Sequence, residues 1–172
     1  MLKLAGCICI LLASSGMAYS CIYSLRKELS QSEQLLDLFT VMEGELAYSR
    51  CPLPELLLRL SRQMPQPYRQ LLEQSSKQME ENQEADIPAI WEQSCQKVRR
   101  QLMLSPQAYQ ALIRMGEAFS YTSLESSLQL LRLGQKKMAG LIDERNAEFA
   151  GKRKLYCCLS YMAGLFSIIL LL

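Results

Sequence analysis

The sequence predicts an all-α protein: a six-helix antiparallel bundle whose long first and last helices continue into terminal transmembrane helices. Three observations predict it. The middle of the chain has no alternating strand pattern and no Asn-Gly or Asp-Gly hairpin turn, so nothing in it asks for a sheet. Its prolines and polar clusters cut it into helical lengths. Two uncharged apolar runs flank it, 20 residues over 4–23 and 18 residues over 155–172.

Each run is long enough to span a bilayer. At about 1.5 Å per residue, 18 residues cover about 27 Å of a hydrocarbon core roughly 30 Å thick. The stems of Lys152, Arg153 and Lys154 can reach the interface to make up the difference. Backbone groups in lipid must be satisfied internally, so both spans read as helices. The chain therefore divides into an N-terminal transmembrane segment at 1–25, a soluble helical bundle at 26–152 and a C-terminal transmembrane segment at 153–172.

The first helix runs on from the membrane to about Tyr48, with Leu25, Leu29, Leu36, Phe39, Met42 and Leu46 spaced for one face. Pro52 and Pro54 disfavour helix at the residues before them and end it. Pro54 suits the first turn of a short second helix carrying Leu56, Leu57 and Leu60, which "MPQP" stops. From Pro67 a third helix presents Tyr68, Leu71, Leu72 and Met79, then gives way to the polar loop "EENQEAD". Asp86 is an N-cap candidate for a fourth helix presenting Ile90, Trp91, Cys95 and Val98. Ser105 as cap and Pro106 at the first helical position open a fifth, burying Tyr109, Leu112, Ile113 and Phe119. After Ser123, the residues Leu124, Leu128, Leu131, Met138, Ile142 and Phe149 form a heptad-like stripe on a sixth helix that runs into the membrane.

Cations set the topology, because short basic flanks tend to stay cytoplasmic. Arg26 and Lys27 follow the first span and Lys152, Arg153 and Lys154 precede the second, so all five lie on the side of the bundle. The bundle is expected to face the cytoplasm, with both chain ends at the outer face. A cleaved secretory signal is the alternative for the first segment, with Lys3 as its basic region and Gly16, Met17 and Ala18 as the cleavage site. The protein would then be an extracytoplasmic, tail-anchored helical binding subunit.

Several function classes are excluded by composition. Removing Lys3 from the 19 basic residues leaves 18 against 17 acidic ones over 26–154, a net charge of +1. The signs are interspersed rather than striped, so nucleic acid is not expected as a partner. Without a single histidine the chain has no imidazole for a nucleophile pair or a metal site. No phosphate-cradling GxxxxGK[ST] motif occurs, and Cys51 and Cys95, the two cysteines of the soluble part, have no zinc spacing. No enzyme activity, cofactor or metal is implied. Ser14 with Ala18, and Ser160 with Gly164, place small residues four apart in the spans. Such spacing lets helices approach closely and leaves a homo-oligomer open.

The order of features along the chain carries a resemblance. A span leads to "EGELAYSRCPLPELLLRL", then to "IPAIWEQS", then to "LSPQAYQALIRMGEAFSYTSLESSLQLL", and a terminal span follows "KLY". Over essentially the whole chain this resembles the stage III sporulation protein AB family. That family is similar to the cytoplasmic helical domains of the platform proteins of type II secretion and type IV pilus machines, which share a loose "GExxG" signature. Gly116 and Glu117 match it, but Ser120 stands where the second glycine would be.

The resemblance implies a non-enzymatic membrane component of the channel between mother cell and forespore, placed in the mother-cell membrane around the forespore. Its bundle would serve as platform or docking site for a secretion-type ATPase, and its spans would meet other membrane subunits. Glu43, Glu45, Arg50 and Glu117 are the candidate partner-binding residues, being polar and within the motifs that carry the resemblance.

Overall fold

In the computed structural model, the backbone is described over residues 2–48, 51–82, 86–120 and 123–171, and the side chains over 23–48, 51–82, 86–120, 123–148 and at Met162. Six helices follow one another: α1 (Leu2–Tyr48), α2 (Leu53–Ser61), α3 (Tyr68–Glu81), α4 (Ile87–Val98), α5 (Pro106–Ala118) and α6 (Leu124–Leu171). There is no strand among the described residues. The chain divides into two compact units, one of Met1–Lys27 with Asp143–Leu172 and one of Glu28–Ile142. The second unit holds the hydrophobic core.

Local chemistry explains the helix boundaries. Pro54 stands in the first turn of α2, where its missing N–H costs nothing, with Glu55 beside it at the positive end of the helix dipole and Arg59 at the negative end. The Ser105 hydroxyl accepts from the Ala108 amide at 3.2 Å and caps α5, with Pro106 next in line. Asp86 occupies the capping position of α4 with extended backbone, but its side chain makes no cap hydrogen bond. The carboxylate therefore contributes no more there than charge near the dipole.

The buried stripe of the first helix keeps Phe39 and Met42 of the predicted face but is rotated from the one its leucines predict. Leu35, Leu38, Phe39 and Met42 are the buried apolar residues, an i, i+3, i+4, i+7 set, and Gln31 and Ser32 extend that stripe toward the N-terminus. Leu36 and Leu46 lie at its edge, and Leu25 and Leu29 are half-buried. Two polar residues on the core-facing side hide the true register from a hydrophobicity pattern. The Ser32 hydroxyl satisfies itself on the Glu28 carbonyl one turn back, at 2.9 Å. On α6 the core stripe is Leu131, Met138 and Ile142, while Leu124 is 51% exposed. Phe149 lies outside the residues with described side chains.

Small polar residues line the junctions of the short helices. Ser75 and Ser76 on α3 and Ser94 on α4 are buried. The Ser76 hydroxyl donates to the Pro54 carbonyl (2.7 Å) and that of Ser94 to the Gln78 amide oxygen (3.2 Å). Each such bond removes the penalty of an unpaired buried polar atom and adds roughly 1 kcal/mol.

Among the described residues no helix is long and apolar enough to cross a membrane. Residues 4–23 lie within α1 and residues 155–171 within α6. Their side chains fall outside the described residues except at Tyr23 and Met162, which are 60% and 70% exposed.

Candidate functional site

The sequence places Glu43 and Glu45 two residues apart, and on a helix that spacing points them to different neighbours. Glu43 faces α6. It accepts from Arg132 Nε at 2.6 Å and from Gln135 Nε2 at 2.7 Å, and the Gln135 amide also donates to the Phe39 carbonyl at 3.3 Å. These two donors, Arg132 first, hold the Glu43 carboxyl below its ordinary range. Glu45 faces α2 and pairs with Arg59. Glu117 is exposed on α5 and has no ion-pair partner among the described residues. Arg50 lies outside the described residues, as do the side chains of Lys152, Arg153 and Lys154; Arg26 and Lys27 are exposed.

A consequence of the Glu43 cluster can be measured. Its folded pKa is lowered, so its contribution to stability is complete above the ordinary carboxyl value of 4.5 and is lost as pH falls through the folded value. NMR titration of the Glu43 carboxyl should give a midpoint below 4.5, and Arg132→Gln should move it up toward that value. A wild-type midpoint at or above 4.5 would show that the pair does not hold in solution.

Beside this cluster lies a feature that a residue-by-residue reading of the sequence misses. Phe39 on α1, Ala111 and Met115 on α5, and Leu131 and Gly134 on α6 form an apolar depression of about 60 Å³. Leu133 stands at its edge 63% exposed, and Arg114 and Lys137 supply cations to the rim. The depression exists because α6 lacks a side chain at 134. A Cβ built there would come within 2.5 Å of Phe39 Cε1. The sequence carries one signal for it: Gly134 stands inside a helical stripe, and such a glycine marks a close approach when nothing else explains it.

The other close approach is at Gly116. Trp91 is fully buried, its indole N–H donates to the Leu112 carbonyl at 2.8 Å, and Phe119 meets its ring edge-on at 5.3 Å. A Cβ on Gly116 would stand 2.6 Å from Trp91 Cδ1. The first glycine of the "GExxG" pattern thus makes room for the tryptophan. Position 120 lies just beyond the end of α5, where Ser120 is exposed and has no positive φ. Serine costs nothing there.

Nothing among the described side chains forms a catalytic or metal-binding constellation, and no cluster of three or more potential ligands occurs. Burial pushes the Cys95 thiol far up, and it is inert packing. The half-buried Cys51 is also raised, by a hydrogen bond with Glu55 and then by burial.

The model for stage III sporulation protein AB matches residues 3–172. The chain belongs to the stage III sporulation protein AB family. The Stage III sporulation protein AB of Bacillus subtilis (strain 168) is 28% identical over 174 residues, an alignment that takes in 100% of both chains. A solved structure of Stage III sporulation protein AB matches with a TM-score of 0.67 at 22% identity, covering 72% of this chain and 97% of the other. At that identity it speaks for the fold alone, a helical bundle. The family is one of sporulation proteins and not a known enzyme family.

Proposed function

We propose that this protein is a non-enzymatic, membrane-anchored component of the sporulation channel between mother cell and forespore, whose bundle docks a secretion-type ATPase. The observation that carries the docking reading is the apolar depression between α1, α5 and α6, bordered by the Glu43–Arg132–Gln135 cluster and edged by the exposed Leu133. Partner interfaces center on apolar anchors ringed by polar groups, and this face supplies both. Glu117 lies one turn from Arg114, a rim residue on α5, and adds a carboxylate to it.

The apolar length of residues 4–23 and 155–172 supports anchoring, and the five flanking cations favour a bundle in the cytosol of the mother cell. On this reading the protein sits in the mother-cell membrane around the forespore, with other channel subunits against its spans.

The test uses the full-length protein in detergent and the ATPase of the same complex. Leu133→Asp should weaken their binding by about tenfold to a hundredfold, the scale of losing one leucine's burial. Its thermal unfolding should stay unchanged, because the side chain is exposed in the free bundle. If the wild-type protein neither binds the ATPase nor alters its activity, docking is wrong. In a variant keeping Cys51 as its single cysteine, labelling by an impermeant thiol reagent in intact cells would overturn the cytosolic placement.

A further inference from the structure

The turn after α4 carries two adjacent arginines that the docking face does not use. Arg99 and Arg100 are exposed and have no carboxylate partner among the described residues. Helix ends often recruit such cations to cover orphan carbonyls, but here several of the carbonyls are already taken. That of Gln96 accepts from the Arg99 amide, that of Val98 from the Gln101 and Leu102 amides, and that of Arg99 from the Leu102 amide. The Gln101 carbonyl accepts from the Gln31 side chain at 3.4 Å, and the Gln31 amide oxygen in turn accepts from the Met103 backbone N–H.

These residues border an open pocket of about 420 Å³, lined by Gln96, Arg99, Arg100, Leu102, Leu104 and Tyr109. That volume lies within the roughly 300–1,000 Å³ typical of small-molecule sites. The Arg99 guanidinium carbon lies over the Tyr109 ring, 4.2 Å from its centroid. A guanidinium offers an N–H fork that matches phosphate oxygens. The Tyr109 ring carries Arg99 at the wall of this pocket. Glu92, two turns earlier on α4, is engaged by the Gln96 amide at 3.3 Å.

We propose that this pocket binds the headgroup of an acidic phospholipid, its phosphate on Arg99 and Arg100 and its glycerol and first acyl carbons against Leu102 and Leu104. The mixed lining favours a phosphate ester with an apolar body over a bare ion. Two cations without a carboxylate partner favour an acidic lipid over a zwitterionic one, whose own cation they would repel. The choice of a lipid rests on the membrane-anchored reading. Gln31, which ties the 101–103 segment to α1, is four residues on from Lys27, the last of the cations that follow the first apolar run.

Full-length protein in a neutral detergent is titrated with short-chain phosphatidylglycerol, short-chain phosphatidylcholine and inorganic phosphate. Saturable binding of phosphatidylglycerol is expected, at least about tenfold tighter than either other ligand and weakened at least about tenfold in R99Q/R100Q, a loss of two charge-assisted contacts. The R99K/R100K variant, which keeps the charge but not the fork, should fall between. Arg62→Gln with Lys77→Gln removes the same charge from exposed positions elsewhere. An equal loss in that control would reduce the effect to net charge and overturn the site. So would equal affinity for the two lipids, or inorganic phosphate binding as tightly as phosphatidylglycerol. Membrane anchoring fails by a separate result: full-length protein that stays monodisperse without detergent.

Discussion

Trp91→Ala is expected to lower the stability of the bundle by about 3–5 kcal/mol, the cost of emptying a fully buried aromatic site. The substitution removes the edge-on contact with Phe119 and the indole bond to the Leu112 carbonyl together. Because domains of this size are stable by only about 5–15 kcal/mol, a fifth or more of the total is at stake. Urea unfolding followed by far-UV circular dichroism measures it. Trp91→Phe keeps a ring in place and gives up the N–H, so it should cost less than Ala while still exceeding the roughly 1 kcal/mol of one hydrogen bond. A loss below about 1 kcal/mol for Trp91→Ala would mean that the α4–α5 junction does not pack on this ring.

The second large effect has opposite signs at different glycines. In a helix, Gly→Ala normally stabilises by about 1 kcal/mol, and Gly44 and Gly140, with nothing within 4 Å of a built Cβ, should show that gain. Gly116→Ala and Gly134→Ala should show a net loss. At 116 the new methyl meets Trp91 Cδ1 at 2.6 Å and Cγ at 2.8 Å; at 134 it meets Phe39 Cε1 at 2.5 Å and Cζ at 2.9 Å. Both rings are buried and closely surrounded, so relief requires moving them, and overpacking of this kind costs about 1–3 kcal/mol. Thermal unfolding of the four single variants decides the matter: Gly116→Ala or Gly134→Ala melting above the wild type would overturn the close packing described here.

What was legible in the chain is what local chemistry decides. Pro54 and Pro106 in first helical turns, the Ser105 cap and the apolar spacings of α2 through α5 can each be recognised within a few residues. The bundle class and all six helices follow from such signals. The inward face of α1 does not, because Gln31 and Ser32 hold core-facing positions for reasons supplied by distant residues. Gln31 exchanges hydrogen bonds with residues 101 and 103, and its backbone carbonyl accepts from the buried Tyr68 hydroxyl at 2.8 Å. No pattern in residues 25–46 announces those partners.

The site was legible only in part, for the same reason. Glu43 and Glu45 stand out as polar residues in a telling motif, but their partners Arg132 and Arg59 lie 89 and 14 positions away. The apolar depression depends on a missing side chain at 134 and on where three helices converge, which no local window contains.

The chain has a single tryptophan, and it sits dry at the α4–α5 junction. That makes the bundle its own spectroscopic reporter. Fluorescence excited selectively at the indole comes from Trp91 alone, blue-shifted while the junction is closed and moving to the red as water reaches it. The glycine variants can be followed by this intrinsic signal without a label, in detergent or in lipid.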